Sequence, residues 1–219
     1  MRDVITVDGL AGSGKSALAR ALAKKLGFCH LNSGLVYRLV AYLTVEKGLD
    51  PLCESDVLQA IENRRIEFSQ AADGSSQILV DGVMHANELQ EPHISEASSL
   101  VARHQLVRDK VLSLQQEAYL PRGVVAEGRD MGTVVFPEAK VKFFVVGSLE
   151  VRATRRYEQL RAAGEDVSVQ EVREALQQRD ERDASSNVGT MRQAKGSVVI
   201  DNSTKGFSDV VDEMLNFIE

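Results

Sequence analysis

Apolar residues in this chain follow two alternating rhythms. Short solid runs occur in VITVD at 4–8, FCHLNSG at 28–34, GVVAEGRD at 123–130, VKFFVVG at 141–147 and SVVIDNS at 197–203. Their length and β-branched content predict strands buried on both faces. Between them the apolar spacing stretches to the helical period. Leu18, Leu22 and Leu26 stand four apart and Gly27 follows, which predicts a helix over 17–26 with a glycine stop. Leu35, Leu39 and Leu43, closed by Gly48, predict a second helix. A polar helix is expected over about 55–65 and a long helical stretch over about 94–119. Two charged helices are expected within 148–164 and 167–183. A closing amphipathic helix over 207–219 turns Val210, Val211, Met214, Leu215 and Ile218 inward.

One segment keeps neither rhythm. RRIEFSQ, SQILVDG and VMHANEL alternate with a period near two, broken by ADGSS and by Asp81-Gly82, a hairpin dipeptide. They predict a small antiparallel sheet inserted at about 64–90. Strands separated by helices otherwise specify an α/β fold: a five-stranded parallel sheet with helices on both faces. No internal repeat or low-complexity linker divides the chain, so one domain is expected over 1–219.

The first turn carries chemistry. GLAGSGKSA at 9–17 fits G-x-x-x-x-G-K-[ST] between a predicted strand and a predicted helix, the context in which that pattern cradles phosphate. Gly9, Leu10, Ala11, Gly12, Ser13, Gly14, Lys15, Ser16 and Ala17 form the expected triphosphate site. The backbone N–H groups of residues 11–16 and the helix N-terminus face the anion. Lys15 bridges the β- and γ-phosphates, and the Ser16 hydroxyl ligates Mg²⁺. Asp8 and Glu127 are the acidic candidates for orienting that ion.

Composition narrows the partner. The 219 residues carry a net charge of −6, which disfavours long nucleic acid, where phosphate neutralisation dominates affinity. No apolar run approaches the ~20 residues of a membrane span. The start, MRDVITVDG, is too short and charged for a signal peptide, and Cys29 and Cys53 form neither a C-x-x-C pair nor a metal spacing. A cytoplasmic protein with reduced thiols is expected. Yet arginines gather around the predicted strand ends. Arg129 closes the third strand and Arg38 follows the second by about one helical turn. Arg152, Arg155, Arg156 and Arg161 lie on the next predicted helix, with Arg173, Arg179 and Arg182 on the one after. Side chains at the C-terminal ends of an open parallel sheet face the ligand crevice, and guanidinium forks suit phosphate. This excess over the needs of one triphosphate points to two phosphorylated ligands in one cleft. No base-reading N-K-x-D of a GTP switch is present.

The chain resembles the bacterial-type cytidylate kinases of the nucleoside monophosphate kinase group. The resemblance runs over nearly the whole length. It rests on VDGLAGSGKS at 7–16, NSGLVYR at 32–38, ASSLVARHQLVR at 97–108, EGRDMGTVVFPEAKVKFF at 127–144, RATRRYEQL at 152–160 and QRDERD at 178–183. It implies transfer of the γ-phosphoryl group of ATP to CMP or dCMP, with Mg²⁺; a monomer is expected, because one chain supplies the whole cleft. It places the acceptor phosphate against Ser33, Arg38 and Arg129, and Tyr37 among the CMP-binding residues. Ser99, Arg108 and Asp130 read the cytosine edge, Arg179 and Asp183 hold the ribose, and Arg155 and Arg156 close over the ATP phosphates. It also implies a core of residues 1–33, 100–150 and 190–219, a monophosphate-binding lobe over 34–99 and an arginine-rich lid over 151–189. The alternatives are a kinase for UMP, AMP or a shikimate-like hydroxyl acceptor, or a nucleotide-dependent switch.

Four positions depart from the family pattern. Leu10 stands where proline is usual and Ala11 where a serine can stand, and both leave the loop's backbone donors intact; Ala17 replaces the threonine that often follows Ser16, which still supplies the metal hydroxyl. Ser186 stands where an arginine is usual, which predicts a weaker hold on the acceptor; Arg182 and Arg192 are the nearest substitutes.

Overall fold

The protein, a computed structural model describing residues 3–118, 123–185 and 191–218, is built on one twisted parallel sheet. Its strands are β1 (Val4–Gly9), β2 (Cys29–Asn32), β6 (Val124–Gly128), β7 (Val141–Val146) and β8 (Val198–Asp201), in the order β2-β6-β1-β7-β8. All pairs are parallel, and register sets their C-terminal ends level: Asn32 lies opposite Glu127, Asp8 opposite Gly128, and Gly9 opposite Val145. The strand positions agree with the five apolar runs. The order is a tertiary outcome, because the helical connections let sequence neighbours land apart.

Each face of the sheet buries its own cluster. Ile5, Val7, Val125, Phe143, Val145 and Ile200 pack under α1 (Lys15–Leu26) and α8 (Phe207–Leu215), against Leu18, Leu22, Val210, Val211 and Met214. The opposite face buries Val4, Leu31, Val124 and Ala126 with Met131 and Val135. A further core lies between α2 (Ser33–Glu46), α3 (Glu54–Ala60), α4 (Pro92–Val101), α5 (Gln105–Glu117) and the small antiparallel sheet β3-β4-β5 (Ile66–Gln70, Ser76–Val80, Val83–His85). It holds Leu39, Val57, Ile66, Ile78, Ile94 and Val107. Two helices before β8, α6 (Leu149–Ala162) and α7 (Val169–Ser185), pack on each other through Ala153, Val172 and Leu176.

Two expectations need correction. The helical stretch predicted over 94–119 is two helices, and no Gly or Pro marks the break. Tertiary bonds make it instead: the His104 ring bonds the Pro51 carbonyl at 2.8 Å, and the Leu106 N–H donates to Glu54 Oε1 at 3.0 Å, capping α5 from a distant helix. The Arg108 guanidinium also donates to the Ala102 carbonyl beyond α4 at 3.2 Å. Tyr119, the predicted end of that stretch, lies outside the described residues. The helix expected over 55–65 stops at Ala60. The turn after β6 is a single wide helical turn, Met131–Val135. Its Met131 and Gly132 N–H groups both donate to the Asp8 carboxylate at 2.8 Å.

Candidate active site

The phosphate loop forms because glycines occupy the positions that other residues resist. Gly12 and Gly14 adopt positive φ of 74° and 87°. A Cβ on Gly9 would sit 2.3 Å from the Val145 carbonyl oxygen, so only glycine lets β1 and β7 meet there. Ser13 N–H closes the turn on the Leu10 carbonyl at 3.3 Å, so it is not among the free loop donors expected for residues 11–16. Lys15 Nζ also folds back on Leu10 O, at 3.3 Å. Burial, with Arg129 nearby, pushes the Lys15 ammonium down to about 8.

This loop is one end of a cleft of about 900 Å³. Ala11, Gly12, Gly14, Lys15, Ser16 and Ala17 line it, as do Ser33, Tyr37, Arg38, Ser99, Arg108, Arg129, Asp130, Arg155, Arg156, Arg179 and Asp183. Residues from six parts of the chain thus share one space. Gly9, Leu10 and Ser13 stay behind the lining and serve through their backbone.

Positive charge dominates the walls. Arg38 donates to the Leu89 carbonyl at 2.7 Å and reaches Ser95 Oγ at 3.3 Å. Arg129 spans from the Gly9 carbonyl at 2.8 Å to Asp183 Oδ2 at 3.0 Å. Burial and neighbouring guanidinium groups lower the proton affinity of Arg38 and Arg179, the latter to about 10, and burial does the same for Arg156. Cations that weaken one another in a half-dry cleft are matched by a polyanionic ligand.

A different arrangement occupies the far wall. Arg108 makes a hydrogen-bonded ion pair with Asp130 Oδ2, and its guanidinium lies over the Tyr37 ring, 5.6 Å from the centroid. The Tyr37 hydroxyl is pushed up to about 12, by burial first. The pair presents an acceptor and a donor side by side, a pattern suited to the edge of a base.

The family model for cytidylate kinase matches residues 5–219. The chain belongs to the cytidylate kinase family. A cytidylate kinase of Thermotoga sp. (strain RQ2) is 37% identical over 215 residues, which cover 98% of this chain and 96% of that protein. Cytidylate kinase 1 of Haemophilus influenzae is 37% identical over 216 residues, covering 99% and 93%. The cytidylate kinase of Pseudomonas syringae pv. tomato is 38% identical over 216 residues, covering 98% and 94%.

Not every expected residue stands free within this cytidylate kinase cleft. Ser99 Oγ donates to the Glu96 carbonyl of its own helix at 2.8 Å and takes a long contact from Arg182 at 3.4 Å. Asp8 lies outside the lining, with each carboxylate oxygen bonded to a backbone N–H; burial raises its carboxyl to about 6 despite those bonds. Of the two acidic candidates, Glu127 is the one beside the loop, its Oε2 accepting from Ser16 Oγ at 2.8 Å. Burial pushes the Glu127 carboxyl up, but the His30, Lys15 and Ser16 contacts outweigh it and the net shift is downward. Arg152 is a structural stitch: it is 4% exposed and bonds Gly147 O, Ala11 O and Asp180 Oδ2. Arg161 and Arg173 point away, paired with Asp166 and Glu150. Ser186 lies outside the described residues.

Sequence reasoning missed Asn202 and Ser95. Asn202 follows β8, donates from Nδ2 to the Ser13 carbonyl at 2.8 Å, and offers its own carbonyl to Arg155 Nη2 at 2.8 Å. It ties the loop, the last strand and α6 together. Its place just beyond a strand's C-terminal end was the available signal. Ser95 accepts from Arg38 and Arg179 at once, at 3.3 and 3.4 Å, and nothing in its local pattern marks that role.

Proposed function

We propose that the protein transfers the γ-phosphoryl group of ATP to CMP and dCMP, giving ADP with CDP or dCDP. One observation carries the reading: the phosphate loop and a second arginine set share one cleft whose far wall holds the Arg108–Asp130 pair. The family supports the same acceptor. In this reading α6 and α7 act as the lid, α2 to α4 with the small sheet as the monophosphate-binding lobe, and the protein works as a cytoplasmic monomer.

The acceptor phosphate is already anionic, so the attack needs no general base. Catalysis is positioning plus charge stabilisation. Arg38 and Arg129 would hold the acceptor in line with the donor, each releasing one present contact to do so. Ser33 lies against the end of β6 that leads into Arg129: a Cβ on Gly128 would come within 2.4 Å of its Oγ. Arg108 and Asp130 would read the cytosine amine and ring acceptors, with Ser99 in support once its own-turn bond yields. Arg179 and Asp183 would take the ribose. Lys15, Arg155 and Arg156 would spread charge on the transferred group.

The residues present also fit Mg²⁺. Among the described residues no three His, Cys, Asp or Glu side chains could cage a metal. An ion that keeps its waters and binds through one hydroxyl, a carboxylate and phosphates needs no cage. Ser16 and Glu127 offer those hard oxygens, 2.8 Å apart. When bound, Mg²⁺ supplies neutralisation of the donor phosphates.

The test is ADP release measured with CMP, dCMP, UMP, AMP and shikimate as acceptors. CMP and dCMP are expected to give the highest rates. Release with shikimate and none with CMP would overturn the proposal.

A further inference from the structure

Beneath the phosphate loop lies a buried histidine that the mechanism above does not use. His30 sits in β2, 3% exposed, one strand away from Glu127, itself 1% exposed. Glu127 has one oxygen engaged: Oε2 accepts from Ser16 Oγ at 2.8 Å. Its Oε1 is buried with no hydrogen-bond partner, and so are both ring nitrogens of His30. The two orphans face each other, His30 Nε2 standing 3.7 Å from Glu127 Oε1. That is within ion-pair reach and just beyond a hydrogen bond. An unpartnered carboxylate oxygen in a dry site is costly, so a small approach of the ring is favoured.

We propose that His30 is a positioning residue: its Nε2–H holds Glu127 Oε1, so that Oε2 stays aimed at the Ser16 hydroxyl and its metal. The role needs only a proton on the facing nitrogen, which the Nε2–H tautomer and the imidazolium both carry. The proposal rests on the reading of Ser16 and Glu127 as the Mg²⁺ side of the donor site. Three elements meet in this relay, from β2 through β6 to the first turn of α1. Carboxylates near a metal are themselves held by hydrogen bonds, and loss of such a partner costs about 10- to 100-fold in metal affinity or activity.

The test compares His30→Leu, which removes the donor, with His30→Gln, whose amide nitrogen reaches a similar place. Calorimetry measures ATP affinity with and without Mg²⁺, and initial rates give the Mg²⁺ dependence and the KM for CMP. His30→Leu is expected to shrink the Mg²⁺ enhancement of ATP binding by about tenfold and to raise the Mg²⁺ requirement similarly. CMP KM and Mg²⁺-free ATP affinity stay unchanged, and His30→Gln recovers most of the loss. An unchanged Mg²⁺ enhancement in His30→Leu overturns the proposal. Equal impairment of His30→Gln and His30→Leu also overturns it, because packing alone would then explain both. Should His30→Leu fail to fold, the ring nitrogen NMR shifts of wild-type His30 decide. Protonated Nε2 whose signal moves in Glu127→Gln is expected; unprotonated Nε2 overturns the proposal. Wild-type protein that shows no CMP-dependent ADP release would instead count against the function, so the two failures are distinct.

Discussion

At the scale of single residues, the cleft sorts its charges by what they touch. Arg152 and Arg129 have the same side chain and nearly opposite fates. Arg152 spends its donors on Gly147, Ala11 and Asp180, leaving it a scaffold, while Arg129 is held at two points and lines the cleft. Arg129→Ala is therefore expected to lower kcat by about 10²- to 10³-fold, the scale of a lost charge-stabilising donor. Initial rates at saturating ATP and CMP check this, and a loss below tenfold would reduce Arg129 to a partner for Asp183. Asp8 makes a prediction about stability. Its folded carboxyl titrates at about 6 against an ordinary 3.8, so the folded state binds the proton more tightly than the unfolded chain. The contribution is greatest below pH 4 and is lost as pH rises to about 6, amounting to about 3 kcal/mol at about 1.4 kcal/mol per pK unit. Urea titrations of wild type and Asp8→Asn at pH 4.5 and 7.5 should show the wild type gaining relative to the variant at the lower pH. A pH-independent difference would contradict it. Ser186→Arg should lower the KM for CMP if the missing family arginine weakens the acceptor site, and an unchanged KM would count against that.

At the scale of elements, the helices present the site through their ends. Helix α2 starts at Ser33 because Asn32, in extended backbone, accepts from the Gly34 N–H at 2.9 Å. The same residue closes β2 opposite Glu127, so one cap fixes both Ser33 and the first turns that carry Tyr37 and Arg38. Asn32→Ala is expected to cost about 1 kcal/mol and to raise the KM for CMP more than that for ATP. Thermal melts and the two KM values check the pair of effects; equal rises would show general loosening. Helix α5 gains its start from Glu54 and His104 rather than from any local signal. That is why the break between α4 and α5, which sets Arg108 against Asp130, was hidden in a continuous helical pattern.

At the scale of the whole molecule, the cleft lies between cores that are packed separately. The small antiparallel sheet is no loose appendage: Ile66, Ile78 and Val80 share one cluster with α2, α4 and α5. Ile78 is fully buried there, so Ile78→Ala should cost about 2–5 kcal/mol. Chemical denaturation measures that cost, and a loss under 1 kcal/mol would place the sheet outside the cooperative core. ATP binding, supported by the clusters around the parallel sheet, should suffer less than CMP binding. Much of this was legible in the sequence. Local periodicity determined the five strands, the inserted sheet and most helices, because a buried strand and an amphipathic helix each need their own spacing. The phosphate loop was legible too, since its glycines, lysine and serine are contiguous and must be. The tertiary structure alone decided the strand order, the break before α5, the bonding of Asp8 to the turn after β6, and the meeting of His30, Glu127 and Ser16. Those depend on groups brought together across 52 to 124 residues, where no local rule of spacing acts and only packing and hydrogen-bond satisfaction choose the partner.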